Sequence, residues 1–171
     1  TEGFKEKFKK TFGKIRLTYV KQEELNGTGG ALLAAKPYLK DRFIAMNGDD
    51  LFSRKDIERC IKHDICILGK EVDDLYRFGE LIIEKSKVKE IAEKPNKNKG
   101  IANTGLYVLN QNVFSNELKK SARGEFEIVD FIKSIKPEYE LVKDFWFPIT
   151  YPWNLLDANE YFLKKIKKDI K

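Results

Sequence analysis

The stretch Arg42-Phe43-Ile44-Ala45-Met46-Asn47-Gly48-Asp49-Asp50 decides how this chain is read. Its first five residues are short and mostly apolar, as a strand buried on both faces of a parallel sheet would be. Asn47-Gly48 then turns the chain and leaves two carboxylates, Asp49 and Asp50, beyond the strand's carboxyl end. Open α/β sheets bind ligands at that end. A hard carboxylate oxygen placed there suits Mg²⁺, which takes one or two carboxylates together with substrate phosphates. An ordinary Asn-Gly turn with solvated aspartates fits the same residues.

Reading outward, Ile15 to Val20 alternates apolar and polar residues and predicts a strand with one buried face. Gly27-Thr28-Gly29-Gly30 predicts the opening of a short helix, Ala31 to Ala35, closed by Pro37. Ser53 and Asp56 form a capping-box-like pair for a helix reaching about Lys62. Strands are expected at 65–69, 76–84, 88–93, 105–109, 140–142 and 145–147, and helices at 125–135 and from about Leu155. Helices interleaved with short buried strands predict one α/β domain, three-layered, on a mostly parallel sheet.

The chain has 171 residues, 42% hydrophobic and 35% charged, enough to bury a core and too apolar for disorder. No apolar run approaches the roughly 20 residues of a membrane helix, and no signal-peptide pattern opens the chain. Cys60 and Cys66 build neither a disulfide framework nor, with one histidine, a zinc spacing, so reduced thiols and a cytoplasmic location are expected. The net charge of +6 raises the question of nucleic acid. Much of the excess sits at the ends, though, and the C-terminal lysines alternate with Phe162, Leu163, Ile166 and Ile170 as the wet face of an amphipathic helix. No aromatic–basic stacking motif accompanies them, so neither nucleic acid nor membrane is an expected partner.

The Gly27–Gly30 loop precedes a helix, so its free N–H groups suit an anion or a base edge, yet it matches neither the P-loop nor the Gly-x-Gly-x-x-Gly pattern. Glu93-Lys94-Pro95 lies ten residues before Asn103-Thr104-Gly105, offering an acceptor, a cation and an amide at strand ends. Sugar hydroxyls and a phosphate need such groups; an ion pair at a strand end needs no more than the first two.

In order along the chain stand Gln22 with Gly27-Thr28-Gly29, Asn47-Gly48-Asp49, Glu93-Lys94-Pro95, Asn103-Thr104-Gly105 and Pro152-Trp153-Asn154-Leu155-Leu156-Asp157-Ala158-Asn159. With these five motifs the chain resembles the sugar-1-phosphate nucleotidyltransferases over nearly its whole length. The resemblance implies a Rossmann-like nucleotide-diphospho-sugar transferase fold, incomplete at its N-terminus. It implies transfer of a nucleotidyl group from UTP or dTTP to a hexose-1-phosphate, with Mg²⁺ as cofactor and pyrophosphate released. Gln22 and Gly27 would meet the base, and Thr28 would bind substrate beside them. Asp49, in the turn opened by Asn47, would hold the metal. Gly79, Glu93 and Asn103 would hold the sugar, with Lys94 near its phosphate.

Two departures accompany the resemblance. The family's first strand and Gly-x-Gly-Thr-Arg loop have no counterpart, which predicts an exposed sheet edge and either self-association, hence a homo-oligomer, or marginal stability. The family's second metal ligand, two residues after a tryptophan, falls on Pro148, with Asp144 or Asn154 as stand-ins. Asn154 also reads as the N-cap of the last helix. The alternative to an active enzyme is a catalytically silent fragment, or a regulatory or oligomerising relative, that keeps the fold.

Overall fold

The structure, a computed structural model, describes residues 2–93, 95–115, 120–121, 124–132 and 135–169. In chain order the elements are α1 (Glu2–Phe8), β1 (Thr11–Phe12), β2 (Ile15–Arg16), α2 (Thr28–Ala35), β3 (Arg42–Met46), β4 (Asp50–Phe52) and α3 (Arg54–Cys60). There follow β5 (Cys66–Val72), β6 (Glu80–Glu84), β7 (Lys87–Ala92), β8 (Gly100–Asn110), α4 (Ile128–Ile132), β9 (Glu138–Leu141), β10 (Trp146–Pro148) and α5 (Asn154–Asp169). Contacts divide the chain into two compact units: residues 1–39 with 118–130, and residues 40–117 with 131–171.

In the first unit, β1 and β2 pair only as a two-residue antiparallel ribbon, and both stay exposed. The strand expected over 15–20 therefore stops at Arg16, because its alternation meets no sheet to bury one face. Gly27 (φ +96°) leads into α2. Gly29 donates its N–H to the Phe126 carbonyl at 2.7 Å, and Phe126 donates its own to Asn26 at 2.8 Å. A Cβ at Gly29 would lie 2.9 Å from that carbonyl, so the segment 125–127 runs too close for a side chain. Thr28 Oγ1 accepts the Ile128 N–H at 3.0 Å and so caps α4. That helix is described over Ile128–Ile132, shorter than the 125–135 expected; residues 133 and 134 lie outside the described residues.

The second unit holds the main sheet. β8 is its spine: β3, β5 and β6 all pair with it antiparallel, β9 adds to β5 in parallel, and β7 pairs antiparallel with β6. Thus β3, β5 and β9 run in one direction, as an α/β fold requires, while β8 runs against them. The sheet is mixed, not mostly parallel. β3 is also less enclosed than its apolar run implied, with Ile44 41% and Met46 57% exposed, since the ladder described for it lies against β8.

Among the described residues, two neighbouring apolar clusters pack on this sheet. Cys60, Cys66, Leu68, Leu106 and Val108 form one, and both thiols are free and buried. Leu75, Ala102 and Trp146 form the other, and Phe52 and Val142 pack against both. The β4–β10 ribbon, with Trp146 opposite Phe52 and Pro148 opposite Asp50, is thereby fixed to the sheet. The expected capping box does not form. Ser53 Oγ donates to Asp144 at 2.8 Å instead, and the fully buried Asp56 accepts the N–H groups of Lys143 and Asp144 at 3.1 and 3.2 Å. Both side chains hold the turn that leads into β10, a tertiary demand that outweighs local capping.

Candidate active site

The acidic turn is anchored at both ends. Asn47 donates its N–H to the Gly105 carbonyl at 3.1 Å, and a Cβ on Gly105 (φ +77°) would overlap the Asn47 amide. At the other end Trp146 Nε1 donates to Asp50 Oδ2 at 3.1 Å. Burial pushes the Asp50 carboxyl up and Asp49 adds repulsion, while hydrogen bonds from Trp146, Asn47 and the Ile149 backbone pull the other way. Asp50 is thus committed to the fold. Asp49 is exposed.

β8 joins this turn to the residues expected at the sugar. Asn103 donates its N–H to the Gly79 carbonyl at 2.7 Å, accepts the Gly105 N–H on Oδ1 at 3.1 Å, and donates from Nδ2 to the Tyr107 hydroxyl at 2.8 Å. A Cβ on Gly79 would lie 3.7 Å from Glu93 Oε2. The structure therefore gathers Asn47, Gly79, Glu93 and Asn103, with Asp49 two residues beyond Asn47; Lys94 lies outside the described residues. Gln22, Gly27 and Thr28 belong to the other unit. There Gln22 Nε2 donates to Asn26 Oδ1 and to the Gly27 carbonyl, both at 3.0 Å.

Beside the acidic turn opens a cleft of about 250 Å³, lined by Lys70, Arg77, Phe78, Trp146, Pro148 and Asn154 among others. Phe78 and Trp146 make its aromatic wall, ring centroids 5.3 Å apart. The sequence reading used Trp146 only to locate position 148, and it missed Lys70, Phe78 and Tyr107. A period-2 pattern marks side chains that face a core but not those that line a void, so Lys70 carried no signal there.

Neither stand-in for a second metal ligand is available. Asp144 is held down to about 2 by hydrogen bonds from Tyr161, Ser53 and Lys165. Asn154 is the first residue of α5 rather than its cap, and its Oδ1 accepts the Tyr151 N–H at 2.9 Å. Among the described residues no group of three His, Cys, Asp or Glu side chains is placed to cage a metal. A single open carboxylate at Asp49 still suits Mg²⁺, whose shell is completed by phosphate oxygens and water.

A family model described as nucleotidyl transferase matches residues 1–165. The chain belongs to the nucleotidyl transferase family. It is 34% identical over 164 residues to the bifunctional protein GlmU of Methanocaldococcus jannaschii, an alignment covering 91% of this chain and 40% of that protein. The chain thus spans about two fifths of that relative's length. Among solved structures, one described as a glucose-1-phosphate thymidylyltransferase from Bacillus anthracis superposes with a TM-score of 0.71 at 33% identity, covering 86% of this chain and 65% of that one. A UDP-glucose pyrophosphorylase complexed with UDP-glucose superposes at 0.72 with 19% identity over 90% of this chain and 68% of that one, a likeness of fold alone. Nucleotidyl transferases are enzymes, and the mixed sheet described above is the Rossmann-like sheet of these neighbours. No helix among the described residues is long and apolar enough to cross a membrane.

Proposed function

We propose that the chain is the nucleotidyl-transfer domain of a protein that joins UTP or dTTP to a hexose-1-phosphate, giving an NDP-sugar and pyrophosphate. The observation that carries this reading is the junction of acidic turn and cleft: the indole that walls the cleft also holds Asp50, at 3.1 Å. A sugar-1-phosphate lying on Phe78 and Trp146 would bring its phosphate beside Asp49. An oxygen of that phosphate attacks the α-phosphorus; the new P–O bond forms as the bond to the β-phosphate oxygen breaks, and pyrophosphate leaves. Such chemistry needs alignment and charge neutralisation more than a protein nucleophile.

Each residue then has a part. Asp49 would hold Mg²⁺, which when bound neutralises phosphate charge. Asn103, its amide orientation set by Gly105 and Tyr107, together with Gly79 and Glu93, would take the sugar hydroxyls. Lys94 would face the phosphate. Gln22, Gly27 and Thr28 would meet the base. A cytoplasmic homo-oligomer completes the proposal.

Pyrophosphate release by the whole protein, with UTP, dTTP or GTP against a panel of hexose-1-phosphates, tests it. Turnover should require a divalent cation and vanish in Asp49→Asn. Absence of turnover with every pair would refute transfer. That result would favour a second reading, a fold-preserving silent relative, which draws support from Pro148: it stands opposite Asp50 and brings no oxygen ligand.

A further inference from the structure

The cleft contains two cations with different surroundings. Arg77 is taken: its guanidinium pairs with Asp74 at 2.7 Å and lies 5.3 Å from the centre of the Phe78 ring. Lys70, half-buried on β5, lies with Nζ 5.8 Å from the centre of the Trp146 ring. Among the described residues no carboxylate comes within ion-pairing distance of it. Asp157 also lines the cleft but is exposed. The face of an indole attracts an ammonium only weakly and leaves its N–H groups free to donate. Lys70 and the acidic turn therefore share one residue, Lys70 over the indole face and Asp50 at its N–H edge. An anion on Lys70 would lie inside the cleft.

We propose that Lys70 is a binding residue for the phosphate of the sugar-1-phosphate, acting from the floor strand of the cleft while the sugar ring lies on Phe78 and Trp146. This rests on the sugar-phosphate reading above and adds to it the group that fixes the phosphate. A phosphate monoester dianion is the ligand chemistry. An ammonium with open donors gives it charge-assisted hydrogen bonds, and the aromatic wall gives the ring the apolar face that inorganic phosphate cannot use.

Calorimetry on the 171-residue chain tests the proposal, with glucose-1-phosphate, N-acetylglucosamine-1-phosphate, inorganic phosphate and glucose as probes. The chain has two tryptophans, so Trp153→Phe leaves Trp146 as the sole indole, and its selectively excited emission reports whether a ligand enters the cleft. The expected result is saturable binding of a sugar-1-phosphate with a change in Trp146 emission, tighter than phosphate or glucose alone. Lys70→Met should weaken it about tenfold or more, and Lys70→Arg should restore most of the loss. Unchanged affinity in Lys70→Met would overturn the role of Lys70 while leaving the cleft a sugar-phosphate site. Binding of inorganic phosphate as tightly as the sugar phosphates would overturn the proposed ligand. Absence of binding by either sugar phosphate would overturn the cleft reading and the Lys70 proposal together.

Discussion

Replacing Asp56 by alanine removes the acceptor on which the approach to the site depends. Its carboxylate is 0% exposed and accepts the N–H groups of Lys143 and Asp144 at 3.1 and 3.2 Å. It also pairs with Arg59 at 2.7 Å. Each hydrogen bond to a buried charged acceptor is worth about 1.5–3 kcal/mol, and Asp56→Ala strands both backbone donors away from water. Arg59 is not stranded, because it keeps Glu140 at 3.2 Å and the Leu141 carbonyl at 2.6 Å. The expected loss is therefore set by the two N–H groups, about 3–6 kcal/mol, a large part of a typical domain's stability. Asp56→Asn keeps one acceptor oxygen and should lose about half as much. Urea unfolding followed by far-ultraviolet circular dichroism measures both. The same turn leads to Trp146, so ligand-induced change in Trp146 emission should weaken in parallel. A loss below about 1 kcal/mol in Asp56→Ala would refute the reasoning, since two buried donors would then have found other partners.

Three further outcomes are expected. Hydrogen bonds to Glu140 and Glu138 raise His63 above its ordinary 6.5, so its contribution to stability is complete below that pH and is lost as pH climbs through the raised folded value. Burial pushes Glu140 up, but hydrogen bonds from His63 and Arg59 outweigh it and hold Glu140 below 4.5, so its contribution is lost as pH falls through the lowered value. The gap in melting temperature between wild type and His63→Asn should thus be widest from about pH 4.5 to 6.5 and shrink as pH climbs through the raised His63 value; a gap independent of pH would count against it. Gly105→Ala should cost about 1–2 kcal/mol for the left-handed backbone alone and more for the collision with Asn47, read by urea unfolding. Thr28→Val should cost about 1 kcal/mol by removing the cap on Ile128, and Thr28→Ser should cost little, by the same assay.

Much of the candidate site was legible because the chemistry proposed for it is local. A carboxylate after an Asn-Gly turn, a Glu-Lys-Pro and an Asn-x-Gly each advertise themselves within a few residues, and five such motifs in order name a family. The elements around them were legible where one segment carries its own pattern, as in β5 or α5. They were misread where a pattern depends on a partner. Ile15–Val20 alternates like a strand but meets no sheet, and Ser53 and Asp56 look like a cap but serve residues 143 and 144.

From the sequence alone, then, come the α/β class, the family resemblance and Asp49 as the candidate metal ligand, since each rests on residues close together in the chain. Only the tertiary structure decided that the sheet is mixed, because strand direction depends on pairing with β8. It alone showed Asp50 held by an indole ninety-six residues away. The Lys85-Ser86 turn of the β6–β7 hairpin, with φ of +50° and +62°, is another such case: nothing in those two residues favours that backbone, and the pairing of their strands imposes it. The cleft with Lys70 over Trp146 belongs with these, since a void has no sequence pattern and exists only once strands distant in the chain come together.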